Sequence, residues 1–110
     1  MGFELRKIRR RYLALKIEGV KTNARTFEKT ILNSILRLFG EYGLSKMHLN
    51  LIEFDSESNF AILRCRHNTL CMVRAAIAAI KSIDGESASI HVLGISGTLK
   101  SARRFKSKLI

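Results

Sequence analysis

Residues 11–18 read Arg-Tyr-Leu-Ala-Leu-Lys-Ile-Glu, and their alternation decides the fold. Leu13, Leu15 and Ile17 fall on one side of an extended chain, because successive side chains of a strand point to opposite faces. This period of two predicts a strand with one face on an apolar core. Such a strand needs partners, and the sequence that follows it supplies three.

Strand-like and helix-like segments alternate after this first strand. Period-two alternation recurs at residues 46–54, 60–66 and 88–95. Helical apolar spacing fills residues 23–43, where Gly43 is expected at the left-handed end position, and residues 68–83, which Asp84-Gly85 terminates. The order βαββαβ is that of the ferredoxin-like or RRM-like split βαβ fold in the α+β class. We therefore expect an antiparallel sheet in the order 4-1-3-2, two helices on one face, and an added C-terminal helix.

Positive charge is concentrated at the two ends of the chain. The formal net charge is +11, and residues 1–16 hold six Lys or Arg against one acid. Residues 100–110 hold five Lys or Arg and no acid. A nearly neutral body with basic ends is suited to a polyanion. We predict one RNA-binding domain over residues 1–110, with a basic arm at 1–11 and a basic helix and tail at 98–110.

The predicted topology joins the separate basic segments into one surface. Strands 1 and 2 begin, and strands 3 and 4 end, at the same edge of the sheet. We expect an RNA-binding patch at this edge, because phosphate groups are bound by clustered Lys and Arg side chains. Its predicted members are Lys7, Arg9, Arg10, Arg11, His48, Arg64, Arg66, Lys100, Arg103, Arg104 and Lys106.

The sheet face without helices carries few of the aromatic residues that an RNA-recognition motif uses for base stacking. Strand 3 has one aromatic residue at its start and no glycine, unlike that motif. Ile52, Phe54, Phe60 and Ile62 are instead expected to form an exposed apolar patch that binds a protein partner. The alternative is that Phe54 and Phe60 only close the hairpin against each other.

Catalytic and metal-binding patterns are weak in this sequence. His48, His67 and His91 fall in different predicted elements, without cysteine or carboxylate residues at ligand spacing. An acylphosphatase-like hydrolase would need a glycine-rich loop followed by arginine near strand 1, and residues 18–22 contain one glycine. A general ferredoxin-like module that binds RNA or the ribosome remains an alternative. Two cysteines in apolar patterns fit a reducing, intracellular setting.

Five short stretches together resemble one protein family. They are residues 10–13 (RRYL), 38–43 (LFGEYG), 63–67 (LRCRH), 75–76 (AA) and 96–100 (SGTLK). On these residues the chain resembles the small basic protein subunit of archaeal-type ribonuclease P, the component 2 family, whose eukaryotic relatives also serve in ribonuclease MRP. Leu99 departs from the isoleucine that is usual in that family.

The resemblance implies a role that the spacing of residues does not reveal. Proteins of this family are subunits of a cytoplasmic ribonucleoprotein that removes the 5′ leader from precursor tRNA. The RNA subunit carries the endonuclease activity with Mg²⁺, so no catalytic residue, metal ligand or bound cofactor is expected in this chain. The implied partners are the ribonuclease P RNA, a larger barrel-like protein subunit, a second heterodimer that completes a heterotetramer, and, indirectly, precursor tRNA. No membrane partner is expected.

Overall fold

The predicted sheet is present in the computed structural model, which describes residues 9–109. The strands are β1 (Arg10–Glu18), β2 (Asn50–Asp55), β3 (Phe60–Arg66), β4 (Ser82–Ile83), β5 (Glu86–Ser87) and β6 (Ser89–Ser96). Four of them form an antiparallel sheet in the order β2-β3-β1-β6. Since β6 is the fourth long strand, this order is the predicted 4-1-3-2. β4 and β5 form a separate hairpin across Asp84 and Gly85, whose φ angles of 53° and 84° suit a tight two-residue turn.

Two of the three helices, α1 and α3, begin at side-chain caps. The helix α1 (Ala24–Met47) follows Asn23, whose Oδ1 accepts a 2.8 Å hydrogen bond from the Thr26 amide. The helix α2 (Leu70–Ala78) follows a short 3₁₀ turn over His67–Thr69. The helix α3 (Leu99–Arg103) follows Thr98, whose hydroxyl accepts from the Ser101 amide, and continues as a 3₁₀ segment over Arg104–Leu109. Among residues 9–109, no helix has both the length and the apolar character needed to cross a bilayer.

The end of α1 differs from the prediction. Gly43 does not terminate the helix but lies buried within it, where an added Cβ would be 3.4 Å from the Met72 methyl group of α2. The irregular position is Gly40, with φ 72°, and the helix ends at His48, with φ 47°. The tighter contact is with Phe39 of the same helix, whose Cβ would lie 2.6 Å from the added atom, so Gly43 leaves room for Phe39 beside the kink. β2 begins four residues later than the expected residue 46.

The main core lies between the sheet and the two long helices. The sheet contributes alternating residues such as Leu13, Leu15 and Leu63, and α1 contributes Phe27 and Ile31, all of them buried. This confirms the inward register predicted for β1 and β3. The core also contains Ile17, Ile35, Cys65, Val73, Ala76 and Ile77.

The second face of the sheet is also covered. Residues 99–109, here named the C-terminal strap, lie across it, with Ala102 packed on Ala14, Phe60 and Ile62. All four residues are buried, and Leu99 and Phe105 pack around them. The strap fits closely, because a Cβ on Gly94 would lie 2.1 Å from the Phe105 ring. The two long helices share one face as predicted, and the predicted C-terminal helix covers the face that was expected to stay open.

The predicted exposed apolar patch is wrong for two physical reasons. First, the strap buries Phe60 and Ile62, which are 1% and 0% exposed. Second, the pairing of β2 with β3 shifts between Leu51 and Glu53. Such a bulge places two successive residues on one face and reverses the alternation after it.

The bulge separates the remaining two residues of that patch. Ile52 packs with the residues under the strap, whereas Phe54 turns to the helix side. There its ring lies 5.5 Å from the Phe27 ring, measured between centroids. Phe54 and Phe60 therefore lie on opposite faces of the sheet and do not close the hairpin against each other. A protein-binding role for these four residues stays a prediction, without the exposed patch that suggested it.

Candidate nucleic-acid interface

Arginine residues of β1 and β3 meet where β1 begins and β3 ends. Arg10 lies directly opposite Arg66, and Tyr12 lies opposite Arg64. Arg10, Arg64 and Arg66 have the same parity as Ile62, so they belong to the strap side of the sheet. The backbone continues this pairing, since the His67 amide donates a 2.8 Å hydrogen bond to the Arg9 carbonyl.

Arg11 connects this group to the turn after β6. Its Nη1 donates a 3.0 Å hydrogen bond to the Arg10 carbonyl. A Cβ on Gly97 would lie 3.7 Å from the same nitrogen, so the guanidinium group lies beside the turn of residues 96–98. We name Arg9, Arg10, Arg11, Arg64 and Arg66 the arginine cluster. The end of the sheet that carries them, where β1 begins and β3 ends, is named the arginine end.

The arginine cluster carries uncompensated charge. Within residues 9–107, each ion pair joins other residues: His91 with Glu18, Arg103 with Glu53, and Lys106 with Asp55. Like charges directly opposite each other on neighbouring strands destabilise a sheet, and Arg10 and Arg66 are in that arrangement. A bound anion would remove this repulsion. Arginine pairs are also suited to phosphate, because each guanidinium presents a planar fork of donors.

Arg64 shows the same lack of a partner at a less exposed position. It is half-buried, between Tyr12 of β1 and Asn50 of β2 in the strand register. Its Nε atom is buried and has no hydrogen-bond acceptor within the described part of the chain. A buried donor without an acceptor costs about 1–3 kcal/mol, and movement of the side chain towards a phosphate would supply one.

The other predicted RNA-binding residues lie at or near the arginine end, outside the described residues, or along β2. His48 is exposed two residues before Asn50, which pairs with Arg64, so it belongs to the arginine end. Lys100 is exposed in the first turn of α3, which starts at the same end, and Arg104 is exposed further along the strap. Lys7 lies outside the described residues.

Arg103 and Lys106 are not at the arginine end. The prediction that all the basic segments form one patch there is therefore wrong for these two residues. The strap crosses the sheet because Leu99, Ala102 and Phe105 pack on it, and this path brings both cations to β2. The Arg103 Nε donates to the Glu53 carboxylate. The contribution of Arg103 and Lys106 to RNA binding stays a prediction.

The ion pair between Lys106 and Asp55 lowers the pKa of the Asp55 carboxyl group. Lys106 Nζ lies 2.6 Å from an Asp55 carboxylate oxygen and 5.9 Å from the centre of the Phe60 ring. The hydrogen bond from Lys106, with further ones from Ser58 and the Glu57 amide, lowers the pKa of Asp55 to about 2. The Asp55 carboxylate therefore stays charged at neutral pH and holds the end of the strap.

Sequence reasoning missed two lysines at the opposite edge of the sheet. Lys16 Nζ donates to the Ser58 carbonyl, and Lys21 Nζ donates to the carbonyls of Ser56 and Glu57. We name this edge, where residues 56–59 join β2 to β3, the turn end. The alternation of β1 already placed Lys16 on the face away from the helices, which was the available signal.

Chemically reactive groups do not converge in the part of the chain that the structure describes. No three His, Cys, Asp or Glu side chains come together there in a way that could hold a metal ion. Burial raises the pKa of the Cys65 thiol to about 11, so it stays protonated at neutral pH. The arrangement is thus suited to electrostatic binding at the arginine end.

Comparison with known proteins identifies the family of this chain. Ribonuclease P protein component 2 of Pyrococcus furiosus is 36% identical over 97 residues, covering 87% of this chain and 81% of that protein. The protein of the same name from Methanosarcina mazei is 32% identical over 97 residues, covering 87% and 82%. A chain in the cryo-EM structure of yeast ribonuclease MRP has the same fold, with a TM-score of 0.70, 16% identity, and coverage of 96% of this chain and 92% of that one. The family model for the Rpp14/Pop5 family matches residues 11–106, and the chain therefore belongs to that family.

Proposed function

We propose that this chain is the component 2 protein subunit of a cytoplasmic ribonuclease P, which binds the catalytic RNA during removal of the 5′ leader from precursor tRNA. The family membership and the names of the relatives support this role. The observation that carries it is the arginine cluster, whose cations have no carboxylate partner within residues 9–107. Such a cluster fits the phosphate groups of an RNA.

The covered sheet indicates how the RNA is bound. In an RNA-recognition motif, bases stack on aromatic side chains of the open sheet. Here the strap lies on that face, and Tyr12 is half-buried among the residues beneath it. The arginine cluster at the edge therefore contacts the sugar-phosphate backbone of a folded RNA. This mode positions the RNA by shape and charge and depends little on base sequence.

In this proposal the RNA supplies the catalysis. Mg²⁺ belongs to the RNA subunit, and the described His, Cys, Asp and Glu side chains do not converge into a set of ligands for it. The protein supports the active fold of the RNA by neutralising phosphate groups that would otherwise repel one another.

A larger protein subunit is the proposed partner, and α1 offers a surface for it. Leu36, Leu38 and Tyr42 are the large apolar residues that stay exposed in the described chain, at 37%, 46% and 74%. They lie in the second half of α1, on both sides of Gly40, and the helix then ends at His48 beside the arginine end. We propose this surface as a contact with a barrel-like subunit, beside the untested role of Ile52, Phe54, Phe60 and Ile62. Self-association of the resulting heterodimer is part of the same proposal.

Reconstitution tests the function directly. Cleavage of precursor tRNA is measured with the ribonuclease P RNA and the partner protein, with and without this chain. We expect a clear loss of cleavage without the chain, and a comparable loss with the Arg10→Ala/Arg66→Ala double variant. Lys29→Ala, an exposed change on α1, is the matched control and should retain activity. Full cleavage without the chain would refute the proposal.

A further inference from the structure

A second group of cations surrounds a cavity at the turn end. The cavity has a volume of about 670 Å³ and lies between the β2–β3 turn, the end of β1 and the strap. Its charged lining residues are Lys16, Lys21, Arg103, Lys106 and Glu57. Four cations therefore face one carboxylate across a space within the usual range for small ligands, about 300–1,000 Å³.

The two lysines keep spare hydrogen-bond donors. Lys16 makes one hydrogen bond, at 3.1 Å to the Ser58 carbonyl, and Lys21 makes two, to the carbonyls of Ser56 and Glu57. An ammonium group has three donors, so donors remain on both. Neither lysine has a carboxylate ion-pair partner within residues 9–107. The turn thus fixes both ammonium groups in place without neutralising them.

The strap adds two cations whose carboxylate partners lie outside the cavity. Arg103 uses its Nε–H for Glu53, which leaves the donors of its two Nη groups. Lys106 pairs with Asp55. Glu53 and Asp55 do not line this cavity but the neighbouring depression along β2. The side of the strap that faces the cavity is therefore dominated by donors.

We infer that this cavity binds a phosphate group of RNA, as a second contact separate from the arginine cluster. The inference rests on the proposed function, which supplies the polyanion. The six residue steps along β1 from Arg10 to Lys16 place the two sites about 20 Å apart, at about 3.3 Å per residue. An RNA backbone that reaches both sites would pass over the strap and be held at both ends of the sheet.

Salt titration of RNA binding tests the inference. The probe is one hairpin RNA, and affinity is measured against salt concentration for the full chain and its variants. Removing one phosphate-binding cation should reduce the magnitude of the log–log slope by about 0.7–0.9. Lys21→Ala should show this reduction and weaken binding by up to about fivefold, the effect of one exposed charge pair. Lys29→Ala removes another exposed lysine, on α1, and should change neither the slope nor the affinity.

A variant that removes a negative charge separates the effect of charge on RNA binding from a structural effect. Glu57→Gln removes the carboxylate that lines the cavity and keeps the shape of the side chain, so it should tighten RNA binding. If Lys21→Ala only loosened the turn, Glu57→Gln would leave the affinity unchanged. An unchanged affinity in both variants would overturn the inference.

Titration with small anions identifies the source of the phosphate group. Amide NMR signals of Ser58 and Asn59, which line the cavity, are followed with inorganic phosphate and with adenosine monophosphate. Shifts that are abolished in Lys21→Ala, together with the reduced RNA slope, support a site for RNA phosphate. Shifts with an unaltered RNA slope would assign the cavity to free phosphate or nucleotide and overturn the RNA assignment. A steep wild-type slope that Lys21→Ala leaves intact refutes this site alone, whereas a flat wild-type slope also refutes the proposed function.

Discussion

The arginine cluster and the strap contain the same kinds of side chain but use them differently. Arg10 and Arg66 face each other without a carboxylate partner in the described chain, whereas Arg103 and Lys106 each pair with an acid of β2. The strap also rests on apolar residues, while the arginine cluster lies at the edge of the sheet. Equal charge therefore does not imply equal function: one region leaves its charge unpaired in the described chain, where we propose that it binds an external anion, and the other uses much of its charge to hold a segment of its own chain.

The largest expected effect tests whether the strap is a true layer of the core. Ile62→Ala should lower the free energy of unfolding by about 2–5 kcal/mol, because Ile62 is 0% exposed beneath the strap. Leu63→Ala, on the opposite face, should cost a similar amount. Chemical denaturation measures both. A small loss for Ile62→Ala alone would show that the strap leaves the sheet in solution.

A smaller effect is expected from crowding the strap. Gly94→Ala places a methyl group where the Phe105 ring lies, so the ring or the strap must move. Overpacking of this kind costs about 1–3 kcal/mol, which thermal or chemical unfolding would measure. Gly94→Ala should cost less stability in a Phe105→Ala background than in the wild type, because the ring that it crowds is then absent. Equal costs in both backgrounds would show that the ring does not contact Gly94.

The arginine cluster should show the reverse behaviour, with binding weakened and stability kept. Arg10→Ala/Arg66→Ala should reduce the magnitude of the salt slope of RNA binding by about 0.7–0.9 for each phosphate that is no longer neutralised. Stability should change by less than about 0.5 kcal/mol, as is usual for surface substitutions. Filter binding across a salt series and thermal unfolding measure the two quantities. A large loss of stability would mean that the cluster has a structural role.

The smallest effect concerns the ion pair at the end of the strap. The pKa of Asp55 is lowered from 3.8 to about 2, so its contribution is fully present above pH 3.8 and is lost as the pH falls through about 2. NMR titration should therefore place the protonation of Asp55, and the loss of its interaction with Lys106, near pH 2. Asp55→Asn should remove this pH dependence. A transition near pH 4 with an ordinary midpoint would show that the pair does not form.

Much of the fold follows from the sequence, because alternation and helical spacing report burial directly. The bounds of β3, the strand order and the inward register of Leu13 and Leu63 were predicted in this way, and the family resemblance is confirmed. The β2 bulge was not predicted, since two residues on one face leave no local signal in the stretch from Leu51 to Phe54. Similarly, the sequence did not reveal which of two nearby glycines interrupts α1.

The site was predicted less well than the fold, for a physical reason. The arginine end brings together residues of adjacent strands, so topology alone places Arg10 near Arg66. The path of the strap depends instead on tertiary packing of Leu99 and Phe105, which no short-range pattern encodes. This difference explains why Arg103 and Lys106 were assigned to the wrong end of the sheet.

The bulge in β2 makes the length of that strand as important as its side chains. It places Ile52 and Glu53 on the same face, one packed beneath the strap and the other bound to Arg103. Removing a single residue between Asn50 and Phe54 would restore regular alternation, and one of these two neighbours would be deleted or turned inward. The strap would then lose either an apolar support or its anchor, although no residue of the strap had changed. Insertions and deletions in this short edge strand therefore change how the strap packs on the sheet, although the strap lies some fifty residues away along the chain.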